Sequence, residues 1–112
     1  MLRHRSLEPF SRDHNQGLNL ARALMLGRPD AVRNVREAWE AELKDHFDEE
    51  ERCLLPLCSQ TSGARLLAEH KELADRILLL PHEPEVLGRL LESHIRWEER
   101  ELFPEIEQSA SP

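Results

Sequence analysis

One eleven-residue segment occurs twice in the chain, and this near-repeat constrains the fold more than any other feature of the sequence. HFDEEERCLLP occupies residues 46–56 and HIRWEERELFP occupies residues 94–104, with six of the eleven positions identical. The shared residues are a histidine, a pair of glutamates, an arginine, a leucine and a proline. A repeat this close predicts one structural unit that is used twice.

The composition and the breaks in the sequence favour helices. The chain has 112 residues, which suits one domain (residues 1–112) with a core at about 9–108. Leu, Ala, Glu and Arg are abundant, and these residues lose little conformational freedom in a helix. Helix start and stop signals stand at four positions, which are Gly27, Asp30, Ser62 and Pro84.

These signals predict four helices, at about residues 9–26, 30–58, 63–80 and 84–108. Because the connections are short, the expected fold is all-α, an up-down-up-down antiparallel four-helix bundle. Pro56 and Pro104 are expected to kink or fray the last turns of the second and fourth helices. The apolar stripe of the second helix is predicted to continue inward to Cys53 and Leu57.

Each predicted helix carries one histidine on its apolar face, and these are His14, His46, His70 and His94. Counting from the connections places them within about one turn, ~6 Å, of a common level. Glu50 and Glu98 follow two of the histidines at i+4, so each pair of side chains projects together.

A single histidine on an apolar face is usually a core residue with satisfied hydrogen bonds. Four at one level, together with two carboxylates, need a different explanation, because an unpaired buried carboxylate is strongly unfavourable. Imidazoles and carboxylates in these numbers are the ligands that two adjacent transition-metal ions require. The sequence therefore predicts a metal site.

The neighbouring charged residues are predicted to lie outside this site. Glu51 and Glu99 stand at i+5, about 140° from the histidines, and are expected to be solvated or paired with arginine, with Glu99 as a reserve ligand. Four other acidic residues are expected at the surface or in support of the ligands, and these are Asp48, Glu49, Glu69 and Asp75. His4 and His82 are given no role.

Several function classes find no support in the sequence. The net charge of −7 leaves no basic stripe for a nucleic acid. No run approaches the ~20 apolar residues of a membrane span, and the N-terminal MLRHRSLEPF has no signal-peptide core, so a soluble cytoplasmic protein is expected. Cys53 and Cys58 are expected to be buried thiols in a reducing compartment.

Other metal-site patterns are also missing. Ferritin-like bundles use Glu-x-x-His, but the residues three positions before the four histidines are Ser11, Leu43, Leu67 and Leu91. The chain has no His-Glu-x-x-His, no Cys-x-x-Cys and no glycine-rich phosphate loop.

A lone histidine on helices one and three, with His-x-x-x-Glu on helices two and four, resembles the pattern of the hemerythrin-like (HHE cation-binding) family. The EERCLLP and EERELFP endings are similar to that family as well. The resemblance implies a non-haem di-iron centre inside a four-helix bundle, with iron favoured over manganese or a mixed centre. It implies four terminal ligands, His14, His46, His70 and His94, and two bridging carboxylates, Glu50 and Glu98.

The chain departs from the oxygen carriers of that family at one position. They have a second histidine on helix three, one turn after the first, where this sequence has Ala74. With two imidazoles, two glutamate oxygens and a solvent-derived bridge, each iron would have five ligands and one open position. This arrangement favours reaction with exogenous ligands over reversible oxygen storage.

Three hypotheses for function follow. The first is a metal-binding protein that binds O2, NO or iron itself for sensing, scavenging or iron handling, with no particular protein partner indicated. The second is an enzyme, either a di-iron oxidase or peroxidase or a repair activity for iron centres. The third is a metal-free helical bundle that acts as an interaction module.

Overall fold

The computed structural model describes residues 5–110, and these are almost entirely helical, with no strand among them. A 3₁₀ turn (Arg5–Leu7) precedes α1, and the rest of the fold consists of helices that succeed one another with short connections. In chain order the helices are α1 (Glu8–Met25), α2 (Ala31–Ala38), α3 (Lys44–Leu54), α4 (Gln60–Leu78), α5 (Pro84–Trp97) and α6 (Phe103–Ala110).

Two of the four helical segments are interrupted by π-helical turns. Segment two (residues 31–57) joins α2 to α3 through the π-turn Trp39–Leu43 and ends in the 3₁₀ turn Leu55–Leu57. Segment four (residues 84–110) joins α5 to α6 through the π-turn Glu98–Leu102. With α1 and α4 as the other two, the four segments agree with the predicted helices to within a few residues. His4 lies outside the described range.

Most of the start and stop signals act where the sequence places them, with one correction. Gly27 follows α1 with φ of 67°, a conformation that glycine adopts without strain, and Pro84 opens α5. The predicted N-cap at Ser62 is wrong. Ser59 is the N-cap instead, since its hydroxyl accepts a hydrogen bond from the Ser62 backbone N–H at 3.1 Å, and α4 therefore begins at Gln60.

The fraying expected at Pro104 does not occur, because α6 continues through this residue to Ala110. Phe103 N–H donates to the Glu98 carbonyl, five residues back, which is the π-helical pattern. Pro104 has no N–H with which to continue that wide turn, so the turn ends and α6 begins with proline in its first turn, where proline is tolerated. Pro56, in contrast, lies in the 3₁₀ turn that ends segment two, as predicted.

The apolar side chains form two separate clusters with a polar layer between them. The first cluster takes its residues from one end of each segment and includes Ala21, Leu24, Val35, Leu73, Ile77, Leu87 and Leu91. The second lies beyond the polar layer and includes Leu7, Phe10, Leu54, Leu66, Trp97, Leu102, Phe103 and Ile106. α1 packs on α2 and α5, and α4 packs on α3 and α5, so each segment contacts two others, which is consistent with a helical bundle.

The inward stripe predicted for segment two is wrong at its end. Leu54 is buried, whereas Cys53 and Leu57 are exposed, because the stripe advances four residues from Glu50 to Leu54 before the chain tightens into the 3₁₀ turn. The expectation of buried thiols therefore fails for Cys53, and Cys58 is only partly buried. Both thiols are free. Across residues 5–110, no helix has the length and apolar character needed to cross a membrane.

Two glycines offer a matched test of how tightly the helices pack. A Cβ on Gly88 would lie 2.7 Å from the Ala21 carbonyl oxygen, and that atom belongs to the backbone of α1. We expect Gly88→Ala to lower the free energy of unfolding by about 1–3 kcal/mol, because α1 and α5 must separate. The measurement is urea denaturation followed by circular dichroism.

Gly63→Ala is the control, since its Cβ would meet the flexible end of Leu55 at 3.3 Å and Cys58 Cβ at 3.8 Å, which is an ordinary van der Waals contact. The gain in helix propensity, up to about 1 kcal/mol, should leave this variant as stable as the wild type or more so. Equal stability of the two variants would contradict the close packing of α1 on α5.

Candidate metal centre

The polar layer between the two apolar clusters contains all six residues that the sequence predicts as ligands. Five are buried, with exposed fractions of 0% for Glu50, 1% for Glu98, 3% for His70 and His94, and 6% for His14. His46 is partly buried. The structure thus brings together one histidine from each segment and one glutamate from segments two and four.

The local helix geometry places each glutamate beside its own histidine. His46 and Glu50 lie one turn apart on α3, so both side chains face the layer. His94 lies in the last turn of α5 and Glu98 is the first residue of the π-turn that follows. Such π-turns are frequently found at functional sites, where they redirect a side chain at the cost of one regular helical hydrogen bond.

The Glu50 carboxylate lies between histidines from three segments. Its Oε2 is 3.4 Å from His46 Nε2 and 3.8 Å from His14 Nε2. Its Oε1 is 3.0 Å from His70 Nε2. One oxygen of this carboxylate therefore faces His14 and His46, and the other faces His70.

The Glu98 carboxylate lies in the corresponding position on the other side. Its Oε1 is 2.7 Å from His14 Nε2, and its Oε2 is 3.3 Å from His94 Nε2 and 3.9 Å from His70 Nε2. The imidazoles thus fall into two pairs, His14 with His46 and His70 with His94. Each pair of imidazoles faces one oxygen of Glu50 and one oxygen of Glu98.

This arrangement could hold a metal ion. Two groups of residues each offer one ligand atom per residue, and within each group these atoms all lie within 4.8 Å of one another. One group is Glu50, His70, His94 and Glu98, and the other is His14, His46 and Glu50. Glu50 therefore belongs to both groups. Bonds of about 2.1 Å to a common ion place neighbouring ligand atoms about 3 Å apart, close to several of the observed separations. Four imidazoles and two carboxylates suit a first-row transition metal.

A second set of carboxylates supports the four histidines from outside. His14 Nδ1–H donates to Glu99 at 2.6 Å, and His46 Nδ1–H donates to Asp13 at 3.0 Å. His70 Nδ1–H donates to Glu51 at 2.8 Å, and in the same way His94 donates to a carboxylate oxygen of Glu69 at 2.7 Å. Because a carboxylate only accepts, each Nδ1 carries a proton, and Nε2 is the atom that each ring presents to the layer, where a metal ion would bind in place of a second proton.

These contacts correct the expectation for Glu51 and Glu99. Their side chains leave their own helix away from its histidine, as the i+5 spacing predicts, but each reaches the histidine of a neighbouring segment. Glu98, and not the reserve candidate Glu99, is the buried carboxylate, since the Glu99 side chain is 29% exposed. Glu69 supports a histidine as foreseen, whereas Asp48 and Glu49 are exposed and Asp75 pairs with Lys71.

Asp13 is the supporting residue that the sequence analysis missed. A signal for it exists, because an acidic residue stands directly before each lone histidine, Asp13 before His14 and Glu69 before His70. The second glutamate of the repeated pair, Glu51 or Glu99, completes the pattern. The two halves of the chain therefore make equivalent contacts.

The carboxylates shift the pKa values of the layer. Burial would lower the pKa of His14, but the carboxylates of Glu50 and Glu98 beside it outweigh burial and raise that pKa to about 10. For His94, burial is again opposed by the charge of Glu98 and a hydrogen bond to Glu69, and the pKa rises to about 9. Burial would raise the pKa of Glu50, but the three histidines hold it well below its usual range.

Three buried atoms in the layer have no hydrogen-bond partner among the described residues: Glu50 Oε2, His94 Nε2 and Glu98 Oε2. An unpaired polar atom in the interior costs free energy, so these atoms call for a partner that the polypeptide does not supply. All three face the centre of the layer, and all three are of the kinds that coordinate transition metals. The residues therefore fit a bound metal ion.

A cavity of about 330 Å³ leads from the surface to this layer. Four of the six candidate ligands line it, namely His14, His46, His94 and Glu98. Apolar residues form much of the remaining wall, and these include Gly17, Leu43, Phe47, Leu91 and Ile95. Ala74 does not line this cavity and instead lies beside His70 and Phe47, in a separate open groove.

The chain matches no protein-family model, no curated protein and no solved structure.

The pKa shifts predict that the metal-free protein becomes less stable as the pH rises. A histidine whose pKa is higher in the folded chain stabilises it fully below about 6.5, and this contribution is lost as the pH passes the folded pKa, about 9 for His94 and about 10 for His14. We expect the free energy of unfolding to fall between pH 7 and pH 10, by up to about 1.4 kcal/mol per pH unit for each histidine.

Urea denaturation of chelator-treated protein at several pH values measures this dependence. His14→Gln should give a shallower slope, whereas His82→Gln should leave the slope unchanged, since His82 is exposed in a turn. A wild-type profile that stays flat from pH 7 to pH 10 would contradict the shifted pKa values.

Proposed function

We propose that this chain is a hemerythrin-like metal-binding protein with a non-haem di-iron centre inside an antiparallel, up-down-up-down four-helix bundle. On this proposal it binds O2, NO or iron itself, for sensing, scavenging or iron handling. The sequence resemblance favours iron over manganese or a mixed centre. The binding of a small ligand or of the metal, rather than a dedicated enzymatic activity, is the main role.

The order of the apolar clusters along the chain supports the antiparallel arrangement. α1 runs from Phe10 in the second cluster to Leu24 in the first, with His14 between them. Segment two passes in the reverse order, from Val35 in the first cluster to Leu54 in the second. α4 again runs from the second cluster to the first, and segment four reverses once more, as expected when successive segments alternate in direction.

One observation carries the proposal of two metal ions. Both oxygens of Glu50 and both oxygens of Glu98 face imidazole Nε2 atoms, and the two oxygens of each carboxylate face different histidine pairs. A carboxylate that serves one ion has no need to present its second oxygen to a second pair of imidazoles. This arrangement supports two metal positions, which the four imidazoles together with Glu50 and Glu98 would hold.

The residues around the centre control which molecules reach it. When bound, iron would supply redox-active positions for a small ligand. The four outer carboxylates hold the imidazole rings in orientation, and the apolar clusters above and below keep water from the layer. The cavity beside His14 and His94 leaves one side accessible to small molecules.

Metal content is the first test of this proposal. Protein loaded anaerobically with ferrous iron and freed of excess should contain about two irons per chain, since the ligand atoms form two sets. After exposure to air, a near-ultraviolet spectrum that changes with azide would indicate a ferric pair with an accessible position. Less than about half an iron per chain, with no spectrum, would contradict the metal centre.

Replacement of both buried carboxylates separates the metal centre from a metal-free interaction module. Glu50→Gln with Glu98→Gln should abolish iron binding and the stabilisation that iron confers, because metal bound only by the native state adds to folding free energy. The control, Glu72→Gln with Glu101→Gln, neutralises two exposed carboxylates and should keep both. A metal-free module instead predicts that the buried substitutions leave stability unchanged or higher, with no effect of iron.

The size of the cavity favours an enzyme as the second candidate function. A volume of about 330 Å³ exceeds what a diatomic ligand needs, so a larger substrate of a di-iron oxidase, peroxidase or repair activity would fit. Iron-loaded protein should bind NO reversibly and in proportion to the metal if it is a ligand-binding protein. Catalytic consumption of peroxide or NO, over many turnovers per centre, would support the enzyme instead.

A further inference from the structure

A groove on the surface of the protein joins the cavity of the centre at His46. The groove has a volume of about 390 Å³ and lies between the start of α1 and segment two. Asp13, Glu42 and His46 line both the groove and the cavity. His46 is also the most exposed of the candidate ligands, with 11% of its side chain accessible compared with 3% for His70 and His94.

The walls of this path carry negative charge. Four carboxylates line the groove, and they belong to Asp13, Glu42, Asp45 and Glu49. Within the described part of the chain, no lysine or arginine lines the groove or the cavity. Arg52 lies 3.7 Å from Glu49, but both side chains are exposed, and pairs of this kind interact weakly. The groove beside His70, in contrast, has mixed charges, since two lysines, Lys44 and Lys71, line it together with Asp48 and Glu51.

The inner end of the path presents atoms that are able to bind a cation. His94 and Glu98 line the cavity, and His94 Nε2 and Glu98 Oε2 are buried without a hydrogen-bond partner. Because His94 Nδ1–H donates to Glu69, Nε2 is the ring atom that faces the cavity, and a metal ion would bind there in place of a proton. The acidic surface therefore leads to unpaired ligand atoms in the interior, and a hydrated cation is the ligand that suits both ends.

We propose that divalent metal ions reach the centre through this groove. Glu42, Asp45 and Glu49 attract the hydrated ion, and His46 is the first ligand that the ion meets. Asp13 holds the His46 ring at the junction of the groove and the cavity through the Nδ1 hydrogen bond. This inference rests on the proposed metal centre and adds a route by which that centre is filled.

The rate of metal uptake tests the route. We would mix metal-free protein with Co²⁺ in a stopped-flow instrument, follow the visible absorption of the bound ion, and measure the final metal content by elemental mass spectrometry. The groove variant carries Glu42→Gln, Asp45→Asn and Glu49→Gln. The control carries Glu37→Gln, Glu72→Gln and Glu101→Gln, three exposed positions outside the groove, and so makes the same change in net charge.

We expect the groove variant to take up Co²⁺ at least about 5-fold more slowly than the control at low ionic strength, because steering by fixed charges raises association rates by about 10-fold or more. The difference should shrink below about 2-fold near 0.5 M salt, where screening is strong. The final metal content should equal that of the wild type, since the six ligands are unchanged. Circular dichroism of both metal-free variants checks that they fold alike.

The possible outcomes distinguish a failure of the proposed route from a failure of the proposed metal centre. Equal uptake rates for the groove and control variants, with full metal content in both, would overturn the route and leave the metal centre intact. A rate difference that persists in high salt would also overturn steering by these carboxylates. A wild type that takes up no stoichiometric Co²⁺ or Fe²⁺ would overturn the centre, and the route with it.

Discussion

The burial of two carboxylates in one layer is the constraint on which the rest of this structure depends. Glu50 and Glu98 are 0% and 1% exposed, and they lie between two apolar clusters that cannot solvate their charge. Two such groups are strongly unfavourable in an interior unless positive charge lies beside them. In the metal-free chain, protons on the histidines supply part of this charge, as the raised pKa values of His14 and His94 indicate.

The outer carboxylates increase the demand for positive charge. With Asp13, Glu51, Glu69 and Glu99 included, six carboxylates surround four imidazoles. Four fully protonated rings would balance only four of these six negative charges, and two divalent ions bound by neutral rings would balance the same number. The stacking of Phe47 on His70, with ring centroids 4.2 Å apart, fixes the ring further and limits the space in which it could turn away. Affinity for cations is thus built into the fold of the layer.

Much of the fold and the inner site could be predicted from the sequence, because both depend on local periodicity. Steps of three and four residues suffice to place His70 and Glu98 on an inward face, and Gly27 and Pro84 mark helix limits by their own backbone preferences. The failures arise where the regular helix does not continue. The exposure of Leu57 and the behaviour of Pro104 depend on 3₁₀ and π-helical turns, which tertiary packing selects and a 3.6-residue period cannot anticipate.

The supporting residues were harder to predict for a different reason. Glu51 and Glu99 point away from the histidines of their own helices, so a single-helix argument assigns them to the solvent. Their partners lie on other segments, and only the packing of the segments brings the atoms within 2.8 Å or less. Asp13 and Glu69, which precede the two lone histidines, form their hydrogen bonds with histidines of other segments, so the sequence alone does not identify these partners.

The way these supports cross the molecule makes the two halves of the chain interdependent. Glu51, from the first half, supports His70 of the second, and Glu99, from the second half, supports His14 of the first. Each half alone has two of the four layer histidines and one buried glutamate, yet its lone histidine lacks the support that fixes its ring. A helical hairpin cut from either half would therefore carry a complete sequence motif and an incomplete coordination sphere. The complete set of candidate ligands and supports exists only in the folded bundle, so metal binding would indicate that all four segments have packed together.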